Sequence, residues 1–213
     1  MTNLRLYITQ SSVPKTEHSI HNLLEKLPLS LHHRALRYHR TEDAYNFIVG
    51  RLLLQKGLGE LGISETIEDI QFEKSGKPYL PSTYFNISHT ANMVACIISV
   101  EEEIGIDIEK VKEVELKHFD AWFTSTEWER IYQSSFPLSM FYRYWTRKES
   151  IIKAAGLGLS NLHEIEIDIE EQVVEHQGKK WHFMDLNIGE AYVGAICSGA
   201  ELGNPFPISY VDF

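Results

Sequence analysis

The chain has no apolar run approaching the roughly 18 residues that a membrane-spanning helix needs. Its first residues, Met1-Thr2-Asn3-Leu4-Arg5-Leu6-Tyr7, are too few and too polar to form the apolar segment of a secretory leader. Cysteine is scarce: Cys96 and Cys197 are the only two in 213 residues, and both sit in apolar, strand-like runs. That excludes a disulfide framework and reads as two small buried hydrophobes in a reducing, cytoplasmic compartment. Positive charge is short too, with 20 Lys+Arg against 30 Asp+Glu and a net charge of −10. A general binder of nucleic acid or of anionic membranes draws its affinity from neutralising phosphates, so neither partner is expected; a local basic pocket remains compatible with the balance. The patterns C-x-x-C, H-E-x-x-H, G-x-S-x-G and the Walker loop are all missing, which removes the common zinc, serine-hydrolase and P-loop chemistries. What is present, 43% hydrophobic and 23% charged residues, is the composition of a globular chain of one domain or two small ones.

The periodicity predicts helix through most of residues 18–62. Thr41 reads as an N-cap with Glu42 and Asp43 in the first turn, and the glycines at 57, 59 and 62 as the end of the element. Short strands are predicted at 67–72, 84–88, 93–100 and 104–109, punctuated by Gly76-Lys77-Pro78 and Pro81-Ser82. Thr124 and Glu127 form a capping-box pattern opening a short helix, and a longer helix is predicted over 139–155. That second helix carries Met140, Phe141, Tyr142, Tyr144, Trp145, Ile151 and Ile152, so apolar a circumference that it must be largely buried. Strands follow near 163–169, 181–186 and 191–197, then a proline-containing tail from 204.

The order helix–strands–helix–strands is accompanied by an internal echo. Gly57-Leu58-Gly59 returns as Gly156-Leu157-Gly158, and Met93-Val94-Ala95-Cys96-Ile97 as Tyr192-Val193-Gly194-Ala195-Ile196, both at an offset of 99 residues. Two matches at one offset imply a duplicated α+β unit, with residues 1–104 as the N-terminal half and 105–213 as the C-terminal half. A ligand cleft is expected where two such halves meet. Gly57 through Gly62 also satisfies G-x-G-x-x-G, but that pattern cradles a pyrophosphate only after a strand and before a helix, and here it follows a helical run.

Four segments carry chemistry. In Gly105-Ile106-Asp107-Ile108-Glu109, strand alternation puts Asp107 and Glu109 on one face, where they are either a wetted polar face or a pair of oxygen ligands for a hard cation such as Mg²⁺. In Trp145-Thr146-Arg147-Lys148-Glu149-Ser150-Ile151-Ile152-Lys153, Glu149 and Lys153 stand side by side at i,i+4. They are either a surface ion pair or, since the helix is too aromatic to be exposed, a carboxylate and a lysine aimed into a cleft. Asn86-Ile87-Ser88-His89-Thr90 closes a strand with a histidine that is either structural or ligand-binding. The basic helix with Arg34, Arg37 and Arg40 is either a solvated face or a landing place for a phosphate.

Taken together and in this order, the segments resemble the Sfp-type 4′-phosphopantetheinyl transferases, whose pattern is a basic helix, G-K-P, a strand ending in S-H, G-(I/V)-D-(I/V)-E and W-(S/T)-x-K-E-(S/A)-x-x-K. The pattern is met by Gly76-Lys77-Pro78, Ser88-His89, Gly105 through Glu109, and Trp145 through Lys153. The resemblance implies a pseudo-symmetric α+β duplication with its site at the interface of the halves. It also implies transfer of the phosphopantetheine arm of coenzyme A to a serine of an apo acyl or peptidyl carrier protein, with release of adenosine 3′,5′-bisphosphate. By that resemblance Asp107, Glu109 and Glu149 hold Mg²⁺, Glu149 or a water it holds takes the serine proton, and Lys153 bridges to the pyrophosphate. Arg34, Lys77, Pro78, Ser88 and His89 border coenzyme A, with Lys148 as a secondary contact. Asn46 stands where the family often carries an arginine, so either Arg40 or Arg51 supplies that cation from a neighbouring turn or coenzyme A is held less tightly. A duplicated chain supplies both halves of the cleft, which points to a monomer. The alternative is a catalytically silent adaptor for coenzyme A or a carrier protein, against which the intact set of carboxylates and lysine weighs.

Overall fold

The computed structural model describes residues 4–10, 16–203 and 207–213, and these divide into two compact α+β units. The first holds strand β1 (Leu4–Gln10), helices α1 (Glu17–Leu24), α2 (Leu29–Ala35) and α3 (Thr41–Glu60), the hairpin β2 (Gln71–Phe72) and β3 (Pro78–Tyr79), and strands β4 (Tyr84–Thr90) and β5 (Met93–Ser99). β5 is central, antiparallel to both β1 and β4, and every one of its residues is buried. α3 lies across this sheet and is buried around most of its circumference, from Ala44 to Leu58.

Two features of α3 differ from the sequence reading. Its N-cap is Arg40, whose extended backbone lets its carbonyl accept from Asp43 and Ala44, so Thr41 is already the first helical residue. Gly57 and Gly59 lie inside the helix, and the turn comes only at Gly62, at φ +66°. Gly57 is there for close approach: a Cβ on it would collide with the Ile98 side chain and stand 2.7 Å from the Tyr7 ring.

The second unit holds β6 (Ile104–Lys110), α4 (Ser125–Gln133), α5 (Pro137–Ala155), β7 (Val173–His176), β8 (Lys179–Leu186) and β9 (Tyr192–Ser198). Its sheet runs β6-β9-β8-β7, all antiparallel. α4 opens on the capping box foreseen at Thr124 and Glu127. α5 begins with Pro137 at its first turn and ends at Gly156 in the left-handed region, φ +70°. The stretch 163–169 is not a strand: a 3₁₀ turn occupies Leu159–Glu164, and beyond it Ile165, Ile167 and Ile169 alternate into the core without a ladder. Their backbone is held by a side chain instead, Ile167 N–H donating to Glu127 Oε1 at 3.0 Å.

The duplication is visible in the pairing. In the first unit β1 meets β5 with Leu4 opposite Ser99, and in the second β6 meets β9 with Ile104 opposite Ser198. Each unit is therefore a strand, a long helix and a hairpin returning to pair with the first strand. The echoed run at 93–97 and 192–196 is the central strand of each sheet, whereas the echoed glycines do different work, Gly57 packing inside α3 and Gly156 stopping α5. The expected partition at 104/105 differs from the observed one at the far end. A last strand, β10 (Ile208–Tyr210), pairs parallel with β1, and Val211 enters the first core, so residues 206–213 belong to the first unit and the second spans 102–205.

Within one helix, then, two glycines have opposite environments. Gly57→Ala is expected to cost about 1–3 kcal/mol by overpacking. Gly59→Ala, with nothing within 4 Å of its added carbon, is expected to gain up to about 0.5–1 kcal/mol. Urea denaturation of the two single variants checks the sign of each.

Candidate active site

In the second unit the chemistry follows from how closely α5 lies on β6. The backbone of α5 crosses Gly105 so tightly that a Cβ there would collide with the Ser150 carbonyl oxygen and stand 2.7 Å from Ala154 N. Gly105, Asp107 and Glu109 share one strand face, and that is the face α5 covers; Asp107 is only 4% exposed, not part of a wetted surface. One turn of α5 then brings Lys153 Nζ to 2.5 Å from Asp107 Oδ1. Glu149, half-buried on the same side of α5, has its carboxyl pushed up to about 7. Burial is the main cause; Lys153 pulls the other way, and the negative charges of Asp107 and Glu109 add to the rise. Asp107, Glu109, Glu149 and Lys153 thus form one electrostatic neighbourhood.

Three carboxylates, all hard oxygen donors, are chemically suited to a divalent cation such as Mg²⁺, and the proton that Glu149 prefers to hold is what such a cation would displace. In the arrangement described here Lys153 occupies Asp107, and among the described residues no three His, Cys, Asp or Glu side chains are drawn together tightly enough to hold a metal ion.

Lys148 is not at this site. It is fully buried and pairs with Glu127 Oε2 at 2.7 Å, donating also to the carbonyls of Trp122 at 2.9 Å and Leu162 at 3.2 Å, with the Phe123 ring 5.1 Å away. Its three protons are committed to the interior, and the expectation that it touches coenzyme A is corrected on that ground. Arg147 is equally buried, forked onto Asp185 at 2.8 and 3.0 Å and bonded to the Glu171 carbonyl at 2.8 Å. Neither Glu127 nor the Arg147–Asp185 pair stood out in the sequence as anything beyond a helix cap and ordinary surface charges.

The first unit carries a separate cleft of about 270 Å³. Tyr38, Phe47, Pro78 and Ile87 supply its apolar walls, and Asp43, Asn46, Arg51 and His89 its polar groups. α3 and β4 position the last three: Asn46 Nδ2 lies 3.4 Å from His89 Nδ1, and the Arg51 guanidinium stacks 5.2 Å from the Phe47 ring. Burial lowers the pKa of Arg51 to about 10, and the like charge of Arg34 adds to the shift. Of the residues expected here, Pro78 and His89 line the cleft. Arg34 does not line it but stands exposed over Phe72 at 4.3 Å and Phe47 at 5.6 Å; Lys77 sits beside the cleft in the β2–β3 turn; and Ser88 is turned inward at 4% exposure. Arg40 is exposed at the helix cap and is not a lining residue, so between the two arginines proposed to compensate for Asn46 it is Arg51 that shares Asn46's cleft.

The raised carboxyl of Glu149 has a sign that can be checked. An acid titrating near 7 in the folded chain and near 4.5 in the unfolded chain makes the fold lose stability as pH rises from about 4.5 to 7. Glu149→Gln removes that loss. In EDTA the variant is expected to melt several degrees above the parent at pH 8, and the difference to shrink or vanish at pH 4.5. Thermal melts of both proteins at the two pH values test it.

Known proteins align along the same division. The family model for the 4′-phosphopantetheinyl transferase superfamily matches residues 103–197, and that for the N-terminal part of 4′-phosphopantetheinyl transferases matches residues 14–101. The chain is 35% identical over 175 residues to 4′-phosphopantetheinyl transferase gsp of Aneurinibacillus migulanus, covering 78% of this chain and 73% of that one. It is 31% identical over 179 residues to 4′-phosphopantetheinyl transferase HetI of Nostoc sp., covering 76% and 74% respectively. To 4′-phosphopantetheinyl transferase Sfp of Bacillus subtilis strain 168 it is 34% identical over 131 residues, 58% of each chain. With both of its halves matched and the Asp107–Lys153–Glu149 cluster assembled inside the larger of the two matches, this chain is an enzyme of the 4′-phosphopantetheinyl transferase superfamily.

Proposed function

We propose that the chain moves the 4′-phosphopantetheine arm of coenzyme A onto a serine hydroxyl of an apo acyl or peptidyl carrier protein, releasing adenosine 3′,5′-bisphosphate. The observation that carries this reading is the pairing of Lys153 with Asp107 at 2.5 Å beside a carboxyl, Glu149, whose pKa lies near neutrality. A group poised there is suited to taking a proton from an alcohol. Glu149, directly or through a water it holds, receives the serine proton as the hydroxyl oxygen bonds to the phosphorus that bears pantetheine. The phosphoanhydride bond breaks, and Lys153 stabilises the charge on the departing phosphate. Asp107, Glu109 and Glu149 are the residues that would hold Mg²⁺, which when bound supplies Lewis-acid neutralisation of the pyrophosphate.

The nucleotide end of coenzyme A is assigned to the first-unit cleft, with His89 and Pro78 at its edge and Arg51 as the cation for a phosphate. Arg34 and Lys77 act from its rim, and Ser88 from within β4. The free, buried thiols of Cys96 and Cys197 support a reducing, cytoplasmic setting, and a chain that carries both duplicated units supports action as a monomer.

Intact mass spectrometry of apo carrier proteins incubated with the enzyme, coenzyme A and Mg²⁺ tests the reaction. One phosphopantetheine arm is expected per carrier, lost with EDTA and reduced at least about 100-fold by Asp107→Ala. Absence of the arm from every carrier, despite coenzyme A binding, would favour the silent adaptor. The cleft assignment has its own check: Arg51→Gln is expected to raise KM for coenzyme A roughly 10-fold or more, the worth of one charge-assisted contact, and Arg40→Gln to leave it within about twofold.

A further inference from the structure

The cluster of Asp107, Glu149 and Lys153 depends on the rotational setting of a single helix. At about 100° per residue, Glu149 and Lys153 lie about 40° apart around α5, Lys148 about 100° to one side of Glu149 and Arg147 about 160° to the other. Side chains reach about 5–6 Å from a helix axis, so a roll of only 10° displaces their ends by about 1 Å. That is enough to separate Lys153 from Asp107, and misplacement of that size can cost about 100-fold in rate.

Helix α5 is held against such a roll by charges that touch none of these three residues. On one side the Arg147 guanidinium is forked onto Asp185 of β8. On the other the Lys148 ammonium reaches Glu127 of α4 and the carbonyls of Trp122 and Leu162. Glu127 is only 1% exposed and uses both oxygens: Oε2 receives Lys148 and accepts from Thr124 N–H at 2.9 Å, while Oε1 accepts from Ile167 N–H at 3.0 Å. A buried ion pair need not stabilise a fold relative to well-packed apolar residues, but its directional bonds can select one arrangement among several.

We propose that Lys148 and Glu127 are positioning residues for the transfer. Their buried pair fixes the roll of α5 and thereby sets Lys153 and Glu149 against Asp107. The inference rests on the transferase reading for its kinetic consequence but not for its geometric one. Loss of the pair leaves coenzyme A binding by the first-unit cleft intact and slows the chemical step.

Lys148→Met/Glu127→Gln removes both charges together, so no lone charge is left buried. Two readouts are taken well below the melting temperature. The first needs neither substrate nor metal: the rate at which an acetylating reagent modifies Lys153, followed by peptide mass spectrometry. It is expected to rise several-fold towards the rate in Asp107→Asn, because an ammonium released from its carboxylate reacts faster. The second is kinetic: kcat is expected to fall at least 10-fold, with KM for coenzyme A within about threefold of the parent. Unchanged Lys153 modification and unchanged kcat in the folded double variant would overturn the proposal and leave the pair a packing feature. Faster Lys153 modification in the double variant, with a parent protein that transfers nothing to any carrier, would uphold the positioning role and refute the transferase reading. Glu127→Gln alone, which spares both carbonyl bonds of Lys148, makes the same test if the double variant does not fold.

Discussion

The close crossing of α5 over Gly105 is the constraint on which the second unit depends. A strand and a helix pack at this separation only if one residue between them has no side chain, and Gly105 is that residue. The rest follows from the contact. Asp107 is almost withdrawn from water, and the helix face that carries Lys153 and Glu149 is pressed against its strand face, so that Glu109, Glu149 and Lys153 keep only partial exposure. A carboxyl titrating near 7 is the electrostatic result of that packing. Burial does most of it; Lys153 is the chief opposing influence, and the negative charges of Asp107 and Glu109 add to the rise.

Charge is distributed along α5 according to what each side chain can reach. Arg147, with a planar fork, meets the two oxygens of Asp185; Lys148, with a compact ammonium, meets three separate acceptors around it. Both are wholly buried, and each of their nitrogens has an acceptor, which is the condition under which interior charge is tolerated. Lys153, by contrast, keeps about a quarter of its side chain exposed. One helix therefore carries two kinds of cation: Arg147 and Lys148 locked inside, and Arg143 and Lys153 paired but partly exposed. The aromatic rings of Phe119, Phe123, Trp128, Phe141 and Trp145 fill the space around the locked ones, with several edge-to-face contacts between 4.8 and 5.5 Å.

Much of this was legible in the residues because it rests on period and spacing. Alternation placed Asp107 and Glu109 on one strand face, and the i,i+4 spacing placed Glu149 beside Lys153. The offset of 99 residues located the central strands of both sheets. What spacing does not reveal is which side of a helix faces the core. Lys148 and Lys153 belong to one motif, and only the packing of α4 and the 3₁₀ turn around α5 separates a fully buried lysine from a partly exposed one. Glu127 was readable as a cap, since that role is local, but its bonds to Lys148 and Ile167 join segments 21 and 40 residues away in the chain. β1 went unread although Leu4, Leu6 and Ile8 alternate with Arg5, Tyr7 and Thr9; in the fold Tyr7 and Thr9 are buried too, so both faces of the strand are covered. Gly57 was misread for a related reason: a glycine near the end of a helix looks like a stop signal until the ring of Tyr7 is seen against it.

The return of β10 to the first unit orders events during synthesis. The residues that build the second unit, 102–205, all leave the ribosome before Ile208–Tyr210 does. The second unit can therefore complete its sheet while the first still exposes an edge of β1, unprotected by its parallel neighbour and without Val211 in its core. The half that holds the cleft of Asn46, Arg51 and His89 is thus the last to close.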